Sequence, residues 1–561
     1  MFHFIHTYAP GVTGALAKSG LWRDGDGLKL MHKPGFTPPD DYNSVLAPGA
    51  PLSGLLEELK CPFYIDRLQG GIGFTHNYPY DPAVTAWLKR ELGDRFWGFQ
   101  MHEWASNLKS DMDRILALFQ AQGADPADPG TWRAVLRKVA AGELQVFLET
   151  HTAADWAEEA PFFGLSDFLP AAYRLYRRRT KETGGYLLPA DSYFMAPRTE
   201  IANGAKRLLP EIGWQIPNLR VQLAFTRGMA EAAGIPWGVY YECWQNTGDV
   251  GLTIPFALRT GQDEWLEDLL HRGAGSDLPP EKREHGGSSL SLAARAWRFA
   301  YFSGAACIGE EYGVCNTFRD PGTGELGPYG EMKREFLRFT EAFPDIGTPF
   351  VPIAAVLPKE MPMLDVTLGE RYLGYPTADP ACPLSPDAVR RLQETAAAVF
   401  GTQGRYGNMG HVLKTGGLPA VCDIVYDDMP GALSRYGHLI DLTGSGRLKK
   451  RYPNTITVEE ADRLLDTLLP CRFGGGLTAA YNRLPDGWYI LVMNNDGVFH
   501  DNFAPDVKLP EAAVRAEVKL LDPRCRLIRA AGDGILHDCG GDYAVSLQAG
   551  EWMLLRINNN M

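Results

Sequence analysis

The sequence predicts an eight-stranded α/β barrel, followed by a small α/β domain and then by an antiparallel β-sandwich. Eight times in the first 345 residues, a short apolar run ends in a polar, aromatic-rich tip. Most of these tips lead into an amphipathic stretch, and strands that alternate with helices indicate a parallel sheet. Eight such units close into a (β/α)8, or TIM, barrel whose active site lies at the carboxyl ends of the strands.

The barrel strands are predicted from apolar runs of four to eight residues. A Gly/Pro-rich segment, about residues 9–50, follows the first strand and is too long for a routine connection, so we predict an active-site loop there. A second long insertion is predicted at residues 246–288. The eight strands are predicted at residues 2–8, 61–68, 96–102, 144–148, 186–189, 211–215, 236–241 and 304–309.

The stretches between these runs have the ends that helices prefer. LPAAYRLYRRRTKE (169–182) becomes basic toward its end, as a helix carboxyl terminus favours. NLRVQLAFTRGMAEAAG (218–234) ends in glycine just before the seventh strand, which matches a glycine carboxyl cap. EMKREFLRFTEAF (331–343) supplies the last helix and completes eight units, which is the size of the predicted barrel.

After residue 346 the pattern changes twice. VPIAAVLP, a long helix at 386–400, PAVCDIVYDD and YGHLIDLTG alternate strand with helix, but too few times for a second barrel. A small open, flavodoxin-like α/β layer is therefore predicted. From about residue 472, short period-two runs broken by Gly, Pro, Asn and Asp predict a β-sandwich. The predicted domains are a catalytic barrel (1–346), a small α/β domain (347–471) and a sandwich (472–561).

Composition excludes several classes of partner. The formal charge of −13 disfavours binding to nucleic acid or to an anionic membrane surface, because such binding needs a basic surface. No run approaches the roughly 18 apolar residues of a spanning helix, and no signal peptide is visible at the start. The nine cysteines are scattered without a CxxC pair, so a reducing, cytoplasmic location is expected. The 13 Trp, 23 Tyr and 26 Phe suit sugar stacking, although a large core accounts for most of them.

Carboxylates at the strand tips predict the chemistry. Glycosidic bonds are commonly cleaved by two carboxyl groups, one of which protonates the leaving oxygen while the other acts as nucleophile or base. The two groups need opposite protonation states, which their surroundings must impose. A barrel that gathers carboxylates among Trp, Tyr and His supplies this situation. The tip carboxylates are Glu103, Glu149, Asp191, Glu242, Glu310 and Glu311.

Two of these carboxylates are the predicted catalytic residues. Glu242 ends an apolar strand in VYYECW, where apolar neighbours would favour the protonated acid and flanking hydroxyls the anion. A buried glutamate paired with arginine is the alternative. Glu149, in FLETHT, has His151 two residues along the chain. Its alternative is a carboxylate at the start of the following helix.

The remaining tips are predicted to line a sugar subsite. Of the adjacent Glu310 and Glu311, only one can point into the cleft of an extended strand, and Glu311 is nearer the tip. Asp191 is as well placed to cap the next helix as to bind substrate. The predicted sugar-binding residues are His6, His102, Glu103, Trp104, His151, Asp191, Tyr241, Trp244 and Glu311.

Other chemistries have weaker support. Several histidines lie near strand ends, but no HExxH pair or similarly tight ligand spacing occurs, so no metal is expected. The glycine-rich GTQGRYGNMG fits neither a dinucleotide-binding nor a P-loop motif, so no cofactor is expected. No Gly-x-Ser-x-Gly elbow is present, which disfavours a serine hydrolase.

The order of domains resembles a known arrangement. A barrel with Glu-bearing strand ends, then PFVPIAAVLP and a small α/β domain, then a sandwich ending LQAGEWMLLRI, looks like the clan of (β/α)8 glycoside hydrolases. Within it, the architecture is similar to bacterial β-galactosidases with a glutamine-amidotransferase-like middle domain. The resemblance implies an acid/base at the end of the fourth strand and a nucleophile at the end of the seventh, here Glu149 and Glu242. The acid/base of the clan usually follows asparagine, whereas Leu148 precedes Glu149, so Glu103 or Glu311 is the alternative acid/base. It also implies a trimer through the middle domain.

The sequence therefore predicts an exo-acting, retaining glycoside hydrolase that acts on a terminal sugar, with the long loops walling off a pocket. Two alternatives stay open. A carbohydrate-binding barrel without catalysis predicts that no two cleft carboxylates come within catalytic range. A metal-dependent deacetylase or isomerase predicts that His6, His102 or His151 converges with Glu or Asp on one point.

Overall fold

The fold is taken from a computed structural model, which describes most of the barrel and of the carboxyl-terminal half. Isolated positions are also described between residues 108 and 123 and between 387 and 399, together with 313 and 317–320. The continuous described ranges are 2–8, 11–31, 46–69, 81–105, 168–191, 196–213, 219–242, 290–311, 322–359, 418–442, 446–499 and 507–558.

The described residues contain an eight-stranded, entirely parallel sheet that forms a nearly closed barrel. The strand order is β5-β4-β3-β2-β1-β8-β7-β6, so each strand pairs with its sequence neighbours and β8 returns to β1. The predicted barrel is confirmed. Its strands are β1 (His3–Tyr8), β2 (Gly27–Met31), β3 (Phe63–Gln69), β4 (Phe96–His102), β5 (Leu187–Ala190), β6 (Glu211–Gly213), β7 (Val239–Glu242) and β8 (Cys307–Glu311).

One strand of the barrel was not predicted, and this changes the strand count. β2 lies inside the segment predicted as a loop, and it pairs in parallel with β1 and β3. The predicted fourth strand, residues 144–148, lies outside the described residues. Strand β4 pairs directly with β5 through Phe99 and Leu187, so no strand lies between them. The fourth strand of the barrel is therefore residues 96–102.

Helices cover the outer face of the barrel. The eleven residues of Pro82–Leu92 begin after Asp81, whose side chain accepts the N–H of Ala83, and Gly93 ends the helix at a positive φ. The helices are α1 (Val12–Lys18), α2 (Pro51–Leu59), α3 (Pro82–Leu92), α4 (Phe168–Glu182), α5 (Ala196–Ala202), α6 (Leu219–Ala233), α7 (Leu290–Phe302), α8 (Pro328–Ala342), α9 (Pro430–Leu433), α10 (Arg447–Arg451) and α11 (Val458–Leu468).

A second parallel sheet packs against helix α6. Its strand order is β13-β12-β14-β15. Arg227 of α6 forms a buried ion pair with Asp423, at 2.7 Å, so this helix is covered on two sides. The strands between the barrel and this point are β9 (Phe318–Asp320), β10 (Glu325–Leu326), β11 (Thr348–Pro349), β12 (Ile353–Leu357), β13 (Cys422–Tyr426), β14 (His438–Asp441) and β15 (Thr455–Ile456).

Antiparallel sheets follow and pack against helix α7. The larger sheets have the orders β11-β17-β18-β25-β22 and β16-β21-β24-β23. The Arg295 guanidinium donates to the Asn495 side chain at 2.5 Å, which joins α7 to these sheets. The strands are β16 (Cys471–Phe473), β17 (Thr478–Leu484), β18 (Gly487–Met493), β19 (Val498–Phe499), β20 (Val507–Lys508), β21 (Val514–Leu520), β22 (Arg526–Gly532), β23 (Ile535–Asp538), β24 (Tyr543–Leu547) and β25 (Trp552–Asn558).

A parallel α/β sheet followed by antiparallel sheets agrees with the order of secondary structure predicted along the chain. The domain boundaries stay a prediction. Most of the predicted helix at 386–400 lies outside the described residues. Within the part of the chain that the structure describes, every helix is too short or too polar to cross a bilayer.

The two faces of the barrel strands have different surroundings. Tyr64, Leu188 and Tyr240 pack together inside the barrel. Phe4 and Tyr241 belong to the larger cluster between the strands and the helices. Because successive strand residues alternate between the faces, this division decides which polar side chains reach the barrel interior.

Glu310 lies on the outer face, where it is held by helix α8. Lys333 donates to one of its carboxylate oxygens at 2.6 Å, and the Tyr329 hydroxyl donates to the other at 2.9 Å. Glu310 and Lys333 are 0% and 1% exposed, so water does not screen the pair. Glu310 therefore ties the last helix to the last strand and does not enter the barrel.

Replacing Lys333 by methionine is expected to lower the free energy of unfolding by about 3–5 kcal/mol, because it leaves the buried Glu310 carboxylate without its cation. Urea denaturation monitored by circular dichroism measures this loss. Lys450→Met, at an exposed position of α10, removes the same charge and should change the free energy by less than about 0.5 kcal/mol. Equal effects of the two substitutions would contradict the assignment.

Candidate active site

A histidine and two glutamates converge inside the barrel. His102 ends β4, Glu211 begins β6 and Glu311 ends β8. One side-chain nitrogen or oxygen of each lies within 4.8 Å of the others, and all three residues are buried. Three separate strands thus bring together what the sequence separates by more than 200 positions. We call these three residues the rim cluster.

Glu103 adds a second carboxylate beside the same imidazole. The Nε2 atom of His102 lies 3.6 Å from Glu103 Oε2 and 3.5 Å from Glu311 Oε1. The two carboxylate oxygens are therefore at most about 7 Å apart. The Glu103 side chain is 31% exposed and that of Glu311 only 1%. The site thus offers one carboxylate that solvent and substrate can reach and one that they reach far less.

The backbone of Glu103 is strained. Its φ is +45°, in the left-handed region, which costs a residue with a side chain roughly 1–2 kcal/mol. Its backbone N–H donates to the Ala190 carbonyl at 2.7 Å, which fixes the turn after β4. Strained residues concentrate at functional sites, where surrounding contacts hold them in place.

The surroundings of Asp191 and Trp104 show how this turn is held. One carboxylate oxygen of Asp191 accepts the N–H of Ala105 at 2.6 Å, so Asp191 caps the helical turn that begins after Glu103. The indole of Trp104 is 0% exposed and donates to Glu200 at 2.9 Å. Burial raises the pKa of Glu200 to about 7, against the opposing effect of the Trp104 hydrogen bond. The structure therefore places Asp191 and Trp104 as buried supports of the turn that carries Glu103.

Glu242 ends β7, as Glu311 ends the neighbouring strand β8. Its backbone is in register with Gly213 on one side and with Glu311 on the other. The structure describes the backbone of this residue and not its side chain. Tyr240, two positions earlier, is buried inside the barrel with its ring edge-on to His102 at 5.5 Å. The hydroxyl of Tyr240 accepts a hydrogen bond from the Lys29 ammonium at 2.7 Å.

Two predicted sugar-binding residues lie on the outer face of the barrel. His6 Nε2 is 3.3 Å from Asp26 Oδ2, and the His6 ring contacts that of Trp22 at 5.8 Å between centroids. Burial, followed by the charge of Lys333, lowers the pKa of His6. Tyr241 is fully buried with its ring edge-on to Trp297. Strand alternation turns both side chains toward the helices, away from the rim cluster.

The other predicted site residues divide into two groups. His102, Glu103 and Glu311 come together, and of the adjacent glutamates it is Glu311 that faces the barrel interior. Glu149, His151 and Trp244 lie outside the described residues. The role of Glu149 rested on its following the fourth strand, and that premise is wrong, because β4 ends at His102 and Glu103 follows it.

Sequence reasoning missed Glu211 and Lys29. Glu211 begins its strand, so a search of strand tips passed over it, and β6 is only three residues long. Lys29 lies on the strand that was predicted as a loop. Each of these two residues is a charged residue in a short apolar run, and that was the available signal. A charge buried inside a barrel requires a partner, so such a residue indicates an interior polar site.

The fold and this site define an α/β-barrel protein with carboxylates and a histidine at the carboxyl ends of its strands. No protein-family model matches the chain, and no curated protein matches it. Several solved structures are distantly similar to it.

Three such neighbours are enzymes acting on sugars. The catalytic module of a family 98 glycoside hydrolase from Streptococcus pneumoniae TIGR4, in complex with the H-disaccharide blood group antigen, gives a TM-score of 0.44 at 9% identity, covering 99% of this chain and 98% of that one. Alpha-L-fucosidase isoenzyme 2 from Paenibacillus thiaminolyticus gives 0.43 at 11%, covering 100% and 99%. A catalytic mutant of Gan42B, a GH42 β-galactosidase from G. stearothermophilus, gives 0.46 at 8%, covering 100% and 98%. At this degree of similarity, the likeness carries no argument about the activity of this chain.

Proposed function

We propose that the protein is a glycoside hydrolase, exo-acting and retaining, that releases a terminal sugar from an oligosaccharide or glycan. The observation that carries the proposal is the meeting of Glu103 and Glu311 on His102 at the carboxyl ends of the barrel strands. A binding barrel without catalysis requires that no two carboxylates come within catalytic range. The Glu103 and Glu311 oxygens, at most about 7 Å apart, are compatible with the range of spacings that glycosidases use. Glu242, the partner proposed below for Glu103, is in register with Glu311 on the adjacent strand.

The strand count supports one assignment of the two roles. Glu103 follows the fourth strand, where the resembling clan carries its acid/base, and Glu242 ends the seventh, where it carries its nucleophile. We therefore propose Glu103 for the role that was predicted for Glu149. The chain departs from the clan here, since the acid/base usually follows asparagine and Glu103 follows His102. We infer that His102, in contact with Glu103 and Glu311, orients the acid in place of that amide.

The proposed reaction has two steps. The Glu242 carboxylate attacks the anomeric carbon while Glu103 donates its proton to the departing glycosidic oxygen, so the bond to the aglycone breaks as the glycosyl ester forms. Glu103, now ionised, takes a proton from water, and the resulting attack at the same carbon releases the sugar and restores Glu242. Strand periodicity puts position 242 on the same face as Tyr240, which is the face that lines the interior.

Exo action rests on the two long segments between barrel elements. Part of the first contains α1 and β2, and the rest, with residues 246–288, lies outside the described residues. A walled pocket, a trimer through the middle domain and a cytoplasmic location are proposals from the sequence alone.

Digestion of an oligosaccharide that the enzyme accepts, followed by ¹H NMR, tests both finer points. We expect monosaccharide to be the first product and to keep the anomeric configuration of the substrate before mutarotation. Internal fragments would contradict exo action. A first product of inverted configuration would contradict the covalent role of Glu242.

The metal-dependent alternative also gains an observation. It requires a histidine to converge with carboxylates, and His102 does so with Glu211 and Glu311. The proposed hydrolysis does not use Glu211, and the next subsection argues what these three side chains can bind.

A further inference from the structure

We propose that His102, Glu211 and Glu311 form a site for one divalent transition-metal ion inside the barrel. The site goes beyond the proposed hydrolysis, whose two catalytic carboxylates are Glu103 and Glu242. One ligating atom from each of the three residues lies within 4.8 Å of the others. With bonds of about 2.1 Å, neighbouring ligand atoms of a bound ion stand roughly 3–3.5 Å apart. Small side-chain rotations, moving each atom by about 1 Å or less, would close the site.

The charges at this place favour a cation. Glu211 is 0% exposed and Glu311 is 1% exposed. Two carboxylates buried this close repel each other unless a proton or a cation lies between them. Lys29 brings one positive charge into the barrel, where its ammonium lies 2.7 Å from the Tyr240 hydroxyl. A divalent ion between the two carboxylates would offset their mutual repulsion.

Gln100 is a second, independent sign of a ligand. It lies two residues before His102 on the same inner face of β4 and is 0% exposed. Among the described residues, neither its amide nitrogen nor its amide oxygen has a hydrogen-bond partner. A buried amide without partners costs several kcal/mol, and an amide oxygen can ligate a cation or accept a hydrogen bond from a water bound to one.

The donor set indicates the class of ion. One imidazole nitrogen with two carboxylate oxygens suits manganese, iron or zinc, whereas calcium and magnesium prefer oxygen ligands alone. Three protein ligands leave coordination positions open for water or for a hydroxyl group. Glu103, partly exposed and 3.6 Å from the His102 Nε2 atom, is the neighbouring acidic side chain that solvent can reach.

Metal binding by the full-length protein tests the proposal. Protein treated with a chelator is dialysed against Mn²⁺, Zn²⁺ or Ca²⁺, and the bound metal is measured by mass spectrometry. We expect one equivalent of Mn²⁺ or Zn²⁺ and no stoichiometric Ca²⁺. Glu211→Gln and Glu311→Gln should each weaken Mn²⁺ binding by at least about 100-fold, and the rise in melting temperature with Mn²⁺ should disappear.

Glu103→Gln is the matched control, because it removes a neighbouring carboxylate that is not in the rim cluster. It should keep one equivalent of Mn²⁺ while losing hydrolysis. Absence of bound Mn²⁺ and Zn²⁺ in the unmutated protein would overturn the site, as would Mn²⁺ binding to a folded Glu211→Gln or Glu311→Gln variant with unchanged affinity. Hydrolysis without metal binding would sink this inference alone, and metal binding without hydrolysis would sink only the proposed function.

Discussion

Replacing Glu242 by glutamine is expected to lower kcat for glycoside hydrolysis by about 10⁴-fold or more, because the amide cannot form the glycosyl ester. The fold should be unchanged, since the residue ends its strand and the side chains of Tyr240 and Tyr241 already provide the packing there. Steady-state rates with a glycoside substrate measure the loss, and circular dichroism checks the fold.

Two further variants sharpen this test. Glu242→Ala leaves space beside the anomeric carbon, so added azide should restore turnover and yield a glycosyl azide. Glu325→Gln, at an exposed position of β10, removes the same charge and should keep the activity of the unmutated protein. A folded Glu242→Gln variant with activity within a few-fold of the unmutated protein would remove this residue from the mechanism.

Replacing Glu103 by glutamine is expected to lower kcat/KM by about 10²–10⁴-fold for substrates whose leaving group is a sugar, because such groups depart only with a proton. An aryl glycoside with an acidic phenol as leaving group needs no proton, so its first step should be nearly unaffected. The measurement is the ratio of kcat/KM for the two kinds of substrate.

Glu149→Gln is the control that decides between the two strand counts. It replaces the residue that follows the predicted strand at 144–148, whereas Glu103 follows the fourth strand of the structure. We expect Glu149→Gln to keep the activity of the unmutated protein toward both kinds of leaving group. A loss confined to Glu149→Gln, with Glu103→Gln unaffected, would reverse the assignment.

The sequence predicts the barrel well because its signal is repeated. Seven of the eight strands fall where apolar runs predict them, and one does not. The run GLKLM in β2 is short, contains a lysine and follows a turn rich in Gly and Asp, so it looked like a loop. Missing β2 and counting residues 144–148 as the fourth strand of the barrel shifted the numbers of only the strands between them. That is why Glu242 kept its place on the seventh strand, while the acid/base role fell on Glu149.

The faces of the strands were harder to predict than the strands themselves. Trp97 packs inside the barrel, and strict alternation from Trp97 would turn His102 outward. The register of β3 with β4 shifts within this strand. Gly98 has a φ of +123°, and a Cβ there would lie 2.4 Å from the Tyr186 carbonyl oxygen, so only glycine allows the irregularity. The strand therefore changes phase, and His102 faces inward.

Long-range pairing accounts for the rest of the site. Glu211 is not at a strand tip, and it becomes a site residue because β4 and β8 bring His102 and Glu311 to it. Lys29 and Tyr240 meet across the barrel for the same reason. Such contacts form only when the sheet closes, so the sequence of any single strand does not predict them.

Hydrolysis of a panel of aryl glycosides by the unmutated protein and by Glu242→Gln tests the central claim most directly. We predict that at least one sugar in the panel is released by the unmutated protein, and that the same sugar is released at least about 10⁴-fold more slowly by the variant. Failure of the unmutated protein to cleave any member of a panel covering both anomers of the common hexoses, 6-deoxyhexoses and pentoses would contradict the claim. Equal rates for the two proteins would contradict it as well.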